Sequence, residues 1–337
     1  MDIGMKIAID VGTKYTRFAD TVSNGIITER TLAAADENGI AAVGNEAEQL
    51  ISDLPGKYLV CEPIKGGAVD NMEVLDIYMQ RIIKRFRSTR YKMIPPKVYL
   101  GVRASMSDVE REDIRSSVRS AVSRDVEFVE SPIAAVIGAG DDPSLSKARL
   151  VLCMGGGIAE AAVVCMNRIM CAEKVPLGGA NIENEIELDI RRSLGVSLGR
   201  NMIEKLKIDS DISSKNSSDF VCARNTASGL PVGANIDSSV IGESIIRCLT
   251  KTADDIRRMI VSLPEEMYSD VMSQGMLIAG GGAKLKGIAD FLAGSLGMDV
   301  TVCSNPDNAV ILGMKQIMEK ESVWSFESVI SADEAAV

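Results

Sequence analysis

The sequence predicts an α/β protein of two related lobes with a ligand cleft between them. Three observations lead there. A strand, a glycine turn and a second strand open the chain (IAIDVGTKYTRFA, 7–19), and the same arrangement returns at 150–164 (LVLCMGGGIAEAAVV). After each opening, helical and strand-like segments alternate, the pattern of layered α/β domains. The length, 337 residues, suits two ordinary domains, each able to bury its own core.

Each element has its own local reason. Residues 6–10 (KIAID) form a first strand, stopped by the turn at Val11-Gly12-Thr13, and strand-like stretches run on to about 42. A short helix is expected at 44–52 (GNEAEQLIS), before the Pro55-Gly56 turn. At 71–87 the apolar residues Met72, Leu75, Met79, Ile82, Ile83 and Phe86 recur at helical spacing. A strand follows at 97–102. Ser107 with Glu110 three residues on is a capping box for a helix to about 123. After a strand at 126–129, Ser131 is expected to cap a helix opening at Pro132 (PIAAVIGAG).

The polar stretch 141–147 marks the lobe boundary. Beyond it, strands are expected at 148–153 and 159–165, and helices at 182–194 and 199–206. Residues 220–236 read as two strands around Gly229-Leu230-Pro231, and a long helix covers 238–262. A strand at 276–279 runs into Gly280-Gly281-Gly282. A helix at 285–296, a strand at 299–303 and a helix at 308–320 complete the order, and the tail from 321 is polar and acidic.

Composition removes several function classes. A net charge of −10 argues against general nucleic-acid binding, which depends on cationic neutralisation of phosphates. The chain has no histidine, which excludes Ser-His-Asp and Cys-His catalysis, His-ligated zinc and a histidine pH switch. Seven cysteines without a CxxC pair read as free thiols in a reducing compartment. No apolar run approaches the roughly 20 residues of a membrane span, and no signal peptide opens the chain, so a cytoplasmic location is expected.

Three glycine turns carry the candidate chemistry: Asp10-Val11-Gly12-Thr13-Lys14, Gly155-Gly156-Gly157, and Gly280-Gly281-Gly282-Ala283. Glycine lets backbone amides approach an anion, and successive amides make a concave nest for phosphate. None matches GxxxxGK[ST], and no acid stands where a dinucleotide fingerprint needs one. Their arrangement is more telling than any one of them: two strand-turn-strand units in corresponding places, then a glycine run ahead of a helix.

This order resembles the actin, sugar-kinase and heat-shock-chaperone ATPase superfamily, and in detail the bacterial actin MreB family with its magnetosome relative MamK. Ile7-Ala-Ile-Asp-Val-Gly-Thr13 resembles the first phosphate loop. Val43-Gly-Asn-Glu-Ala47 and Glu62-Pro-Ile-Lys-Gly-Gly-Ala-Val69 resemble the small upper subdomain and its return; Asp108-Val-Glu-Arg111 and Ser131-Pro-Ile-Ala-Ala-Val-Ile-Gly-Ala139 follow in order. Gly155 to Gly157 fall at the second phosphate loop and Gly178-Gly179 at the ribose-side turn. Gly199, Glu204 and Lys207 match the helix flanking the nucleoside, and Gly229-Leu-Pro231 also fits. Gly280-Gly-Gly-Ala-Lys-Leu285 resembles the adenosine loop, and Pro306-Asp-Asn-Ala-Val-Ile-Leu-Gly313 the last helix.

The resemblance implies an actin-like fold of two ribonuclease-H-like lobes with a nucleotide cleft between them. Lobe I would comprise 1–140 and 314–337, with a small upper subdomain inserted at about 31–63; lobe II would comprise 148–313. It also implies ATP or another nucleotide with magnesium, held by Gly12, Thr13, Lys14, Tyr15, Gly155, Gly156, Gly157, Gly179, Glu204, Lys207, Gly280, Gly281, Gly282 and Ala283. Asp10 would be the magnesium-side acid. Head-to-tail self-assembly into double protofilaments would follow, since such heterologous contacts give open filaments.

Departures from the family pattern bear on catalysis. Cys153 stands where the family has the acid that holds the magnesium shell, and a thiol is a soft ligand poorly suited to that ion. Ile158 and Ala159 replace two threonines, and Ser131 stands at the position of the water-orienting Glu; Glu130, one position early and pointed in another direction but able to reach the cleft, and Asp10 are the acids left as catalytic candidates. Lys14 and Tyr15 replace smaller residues, and the Lys14 charge can substitute in part for a metal at phosphate. Hydrolysis at least ~100-fold slower than in an intact relative is expected.

A basic segment lies within this acidic chain: Arg81, Lys84, Arg85, Arg87, Arg90, Lys92, Lys97 and Arg103 surround Tyr91-Lys92-Met93-Ile94-Pro95-Pro96. As a solvated helix end and a proline-stiffened loop it needs no function. The resemblance places an apolar membrane loop here, with Met93 and Ile94 at its tip and cations adding about 1 kcal/mol each at an anionic surface. The leading expectation is therefore a filament-forming actin homologue at the inner membrane, with membrane-bound partner proteins, organising cell shape or a structure such as a magnetosome chain. The alternatives are a catalytically silent actin-fold adaptor that does not polymerise and, third, a small-molecule kinase of the same superfamily.

Overall fold

The computed structural model describes residues 6–21, 25–86, 95–122, 125–212 and 218–320. In its first half β1 (Lys6–Val11), β2 (Tyr15–Asp20), β3 (Ile27–Arg30), β9 (Lys97–Val102) and β10 (Val126–Glu130) make one sheet. Their order is β10-β9-β1-β2-β3. β1 is antiparallel to β2 and parallel to β9, and β10 is parallel to β9.

A second sheet repeats that plan. It holds β11 (Arg149–Met154), β12 (Ala159–Cys165), β13 (Arg168–Val175), β17 (Met276–Ala279) and β18 (Val300–Val302), ordered β13-β12-β11-β17-β18. β11 is antiparallel to β12 and parallel to β17, and β18 is parallel to β17. Two small sheets stand beside these: β4 (Ala33–Asp36) with β5 (Gly39–Val43) and β6 (Leu59–Cys61), and β14 (Val196–Ser197) with β15 (Ser218–Asn225) and β16 (Pro231–Asp237). β7 (Ile64–Lys65) pairs with β8 (Ala68–Val69).

Between the two large sheets lie α4 (Ser131–Gly138) and α10 (Ala309–Glu319). Residues from both sheets, among them Ala8, Tyr99, Val151 and Leu277, close on these helices. That placement explains why PIAAVIG is apolar all round: a helix covered on every side has no face for water. The helices touch through their glycines. A methyl on Gly138 would stand 1.8 Å from the Ala309 carbonyl oxygen, and one on Gly313 would stand 1.8 Å from that of Ala134.

The outer faces are covered differently. α2 (Met72–Phe86) and α3 (Asp108–Ala121) cover the first sheet, with Leu75, Tyr78, Met79, Ile82 and Ile83 inward at helical spacing. Each such side chain contributes about 1.5–3 kcal/mol by burial. Ser107 and Glu110 form the expected capping box. α5 (Gly179–Leu194), α6 (Arg200–Asp209), α7 (Ser238–Val261), α8 (Glu265–Gln274) and α9 (Ile288–Leu296) surround the second, and α1 (Asn45–Asp53) packs on the small sheet of the first half.

Three local expectations are corrected. α4 begins at Ser131, not Pro132; Glu130 is its N-cap residue, and no side chain caps it. Ser131 is itself buried in the first turn, where Pro132 fits without a lost amide bond. The strand β13 and the helix α8 were not expected at all. β13 is an edge strand whose RIMCAEKV mixes charged and apolar residues, and α8 buries only Val271.

Candidate functional site

The site is built from the turns that end β1 and β11. The Gly12 amide donates to the Tyr15 carbonyl at 3.1 Å, and the Gly155 amide donates to that of Ile158 at 2.9 Å. Neither turn has room for a side chain: a methyl on Gly12 would lie 2.8 Å from the Tyr15 oxygen, and one on Gly155 would lie 2.9 Å from the Ile158 oxygen. One turn, made twice, therefore stands at the same point of each sheet.

The two turns meet across the lobes. A methyl on Gly156 would stand 2.7 Å from Lys14 Cβ, and one on Gly157 would stand 2.5 Å from Thr13 Oγ1. The start of α5 closes on the second turn, its Gly179 and Ala180 amides donating to the Gly155 and Gly156 carbonyls at 3.1 and 2.7 Å. Gly280, at φ +87°, stands against the Met154 carbonyl, and Gly282 against Met154 Cβ, so the third turn seats on the second. Ala283 is buried and ends that turn by donating its amide to the Gly280 carbonyl at 3.1 Å; Gly281 faces the Asp307 carboxylate. The turns thus gather at one place between the sheets. Tyr15 also lies here, its ring under the guanidiniums of Arg17 and Arg30 at 5.5 and 5.0 Å.

Charge at this place is paired and spans the lobes. Lys14, from the first turn, reaches Glu204 on α6, and Lys207 pairs with Glu183 on α5. Lys207 Nζ is 3.2 Å from where a methyl on Gly179 would be. Burial lowers the Lys14 pKa to about 8; Lys207 and Arg30 add to the fall, while Glu183 and Glu48 oppose it. Asp10 pairs in register with Arg17 on β2. Burial raises the Asp10 pKa, and Arg17 pulls it back. Cys153 takes the corresponding place in β11, opposite Glu160. Burial pushes its thiol well up, and Glu160, Cys303 and Asp10 add to that.

Glu130 does not project freely into the cleft. Arg111 on α3 holds it at 2.9 Å and also donates to the Arg103 and Ala104 carbonyls at 3.3 and 3.1 Å. Burial raises the Glu130 pKa against the pull of Arg111. Sequence reasoning passed over Glu160. Its carboxylate is almost fully buried in the second sheet and accepts the Ala104 and Ser105 amides of the first half at 3.2 and 2.6 Å. A lone acid in the otherwise apolar strand AEAAVVC was the available signal. Nearby, Arg103 donates to the Gly67 carbonyl at 3.0 Å, and the Gly67 amide donates to Thr13 Oγ1 at 3.1 Å.

Arg87, Arg90 and Lys92 of the basic segment lie outside the described residues, and several of its other cations have partners. Arg85 pairs with Glu46, Lys97 with Glu127 at 2.8 Å and Arg103 with Glu110 at 3.8 Å, and Arg81 donates to the Ala41 carbonyl at 3.2 Å. Met93 and Ile94 lie outside the described residues. No helix among the described residues is long and apolar enough to cross a membrane.

Comparison with known proteins identifies the lineage. The family model described as MreB/Mbl protein matches residues 4–325. This chain belongs to the MreB/Mbl family. It is 30% identical to the cell shape-determining protein MreB of Escherichia coli K12 over 324 residues, 93% of each chain. It is 25% identical to the cell shape-determining protein Mbl of Bacillus subtilis 168 over 312 residues, 91% of this chain and 93% of that one. Among solved structures, MreB5 of Spiroplasma citri bound to AMPPNP superposes with a TM-score of 0.87 at 22% identity, covering 96% of this chain and 98% of that one. A MamK double helical filament gives 0.78 at 15% identity, covering 94% and 99%. The fold is actin-like, and its repeated sheets are the two lobes of that fold.

Proposed function

We propose that this chain is a cell-shape filament protein that binds a nucleotide between its lobes, turns it over slowly and works at the inner face of the membrane. One observation carries the nucleotide reading: Thr13 and Lys14 of one lobe lie directly on Gly156 and Gly157 of the other, so that two anion-type turns face one cleft. The Spiroplasma citri relative was solved with AMPPNP and with ADP, which supports a nucleotide there. Gly12 to Tyr15, Gly155 to Gly157, Gly179, Glu204, Lys207 and Gly280 to Ala283 are the residues proposed to surround it. Lobe I would take 1–140 with 314–337, and lobe II 148–313.

Slow turnover rests on Ser131 at the water-orienting position, on Glu130 held by Arg111, and on Cys153 in place of an acid. Phosphoryl transfer depends on positioned charge, and the acids expected at positions 131 and 153 are not there to supply it. Self-assembly is supported by the MamK filament structure and by the family. The same missing acids favour a second reading, an actin-fold adaptor that does not polymerise.

Sedimentation of the purified chain with ATP separates the two, read together with phosphate release and with anionic vesicles present. A filament protein pellets with nucleotide, releases phosphate at least ~100-fold more slowly than an intact relative, and brings vesicles down unless Met93 and Ile94 are changed to Ser. A supernatant-only chain supports the adaptor, phosphate release at the relative's rate rejects slow turnover, and unchanged vesicle pelleting by the double variant rejects the loop.

A further inference from the structure

The lobe II turn lacks what a magnesium ion needs. Cys153 replaces a carboxylate with a thiol that burial keeps protonated, and Ile158 and Ala159 offer no hydroxyl. Magnesium wants hard oxygen ligands in octahedral array, and beside phosphates it takes one or two carboxylates with water. Among the described residues no group of three His, Cys, Asp or Glu side chains stands close enough to hold a metal ion. Asp10, at the end of β1, already has the Arg17 guanidinium as its cross-strand neighbour, and Glu160, opposite Cys153, is taken up by the Ala104 and Ser105 amides. The donor set does not fit a divalent cation.

Fixed cations stand at the same turns. Lys14 rests on Gly156 and sends its ammonium across to Glu204, while Lys207 Nζ lies beside Gly179 and pairs with Glu183. The Lys14 stem thus lies on the second glycine turn with its ammonium held by Glu204, and the Lys207 ammonium lies at the start of α5, held by Glu183. A lysine is a point charge suited to phosphate oxygens.

We infer that this chain holds the phosphates of its nucleotide without a divalent cation, the Lys14 and Lys207 ammoniums supplying the positive charge. An entering phosphate displaces Glu204 from Lys14, exchanging a carboxylate for a more highly charged anion. The inference rests on the nucleotide reading above.

Calorimetric titration of the full-length protein with AMPPNP, in excess magnesium chloride and in excess EDTA, tests it. The two dissociation constants are expected to agree within about threefold, a difference of under 1 kcal/mol. Lys14→Met weakens binding by about tenfold or more in both media, as loss of a charge-assisted bond does. Lys14→Arg retains most of the affinity. A wild-type affinity that falls more than about threefold in EDTA overturns the inference and leaves the nucleotide reading intact, as does a Lys14→Met chain that binds like wild type. No binding in either medium overturns both.

Discussion

The hairpins β1–β2 and β11–β12 share one backbone and carry different chemistry. In each, a glycine amide closes the turn onto a carbonyl three residues on. In each, the residue two before that glycine pairs with the residue five after it: Asp10 with Arg17, Cys153 with Glu160. The first arm holds an acid and a base, the second a thiol and an acid. The turn needs only a glycine and one backbone bond, so its geometry survives free substitution at the paired positions. Reactivity resides in those pairs, and there the lobes have parted.

The comparison breaks most visibly where the lobes are most alike, at the α4–α10 crossing. Gly138→Ala and Gly313→Ala each drive a methyl to 1.8 Å from a carbonyl oxygen. Each is expected to cost about 3 kcal/mol in urea unfolding, the upper range for overpacking. Equal losses sharpen the symmetry, and an indifferent site on one helix breaks it.

The next effect separates the arms. Glu160→Ala strands the Ala104 and Ser105 amides beside a buried gap and is expected to cost about 2–3 kcal/mol. Arg17→Ala loses its bond to Asn308 Oδ1 at 3.2 Å, its contact with the Tyr15 ring and its charge beside Asp10, and is expected to cost about 1–2 kcal/mol. Urea midpoints at constant slope measure both. A larger loss at Arg17 would reverse the assignment of Glu160 as the stronger tie between lobes.

The smallest effect is a pH dependence. Lys14 is charged below about pH 8 and neutral above it. AMPPNP affinity therefore falls as pH rises through that value, and Lys14→Arg flattens the profile. Stability moves the other way. Between about 8 and the ordinary value of 10.5 the folded chain binds fewer protons than the unfolded one, so stability rises with pH across that window. Titrations of affinity and of the urea midpoint from pH 7 to 10 check both signs.

Much of the architecture was legible because glycine punctuates it. The turns at Gly12, Gly155 and Gly280 fall where strands end, and the spacing of α2 and the Ser107 cap appear as expected. Misses have physical reasons. β13 and α8 bury little, so their patterns lack the contrast that periodicity needs. Ser131-Pro132 reads locally as cap and first turn, yet the strand before it runs straight into the helix and leaves Glu130 at the cap. The partners of the basic segment, Glu46 and Glu127, are far off in sequence, and so are the Arg111 partner of Glu130 and the amides held by Glu160. Pairing between segments far apart in sequence belongs to the folded chain and leaves no trace in a local window.

The seating of α5 on the second turn has a thermodynamic consequence. Its first amides, which at many helix starts would await an anion, are spent on the Gly155 and Gly156 carbonyls. The loop is therefore ordered by the polypeptide itself, and its conformational entropy is given up during folding. Whatever ion enters meets a loop backbone already in shape, and its affinity is not discounted by the cost of ordering that backbone.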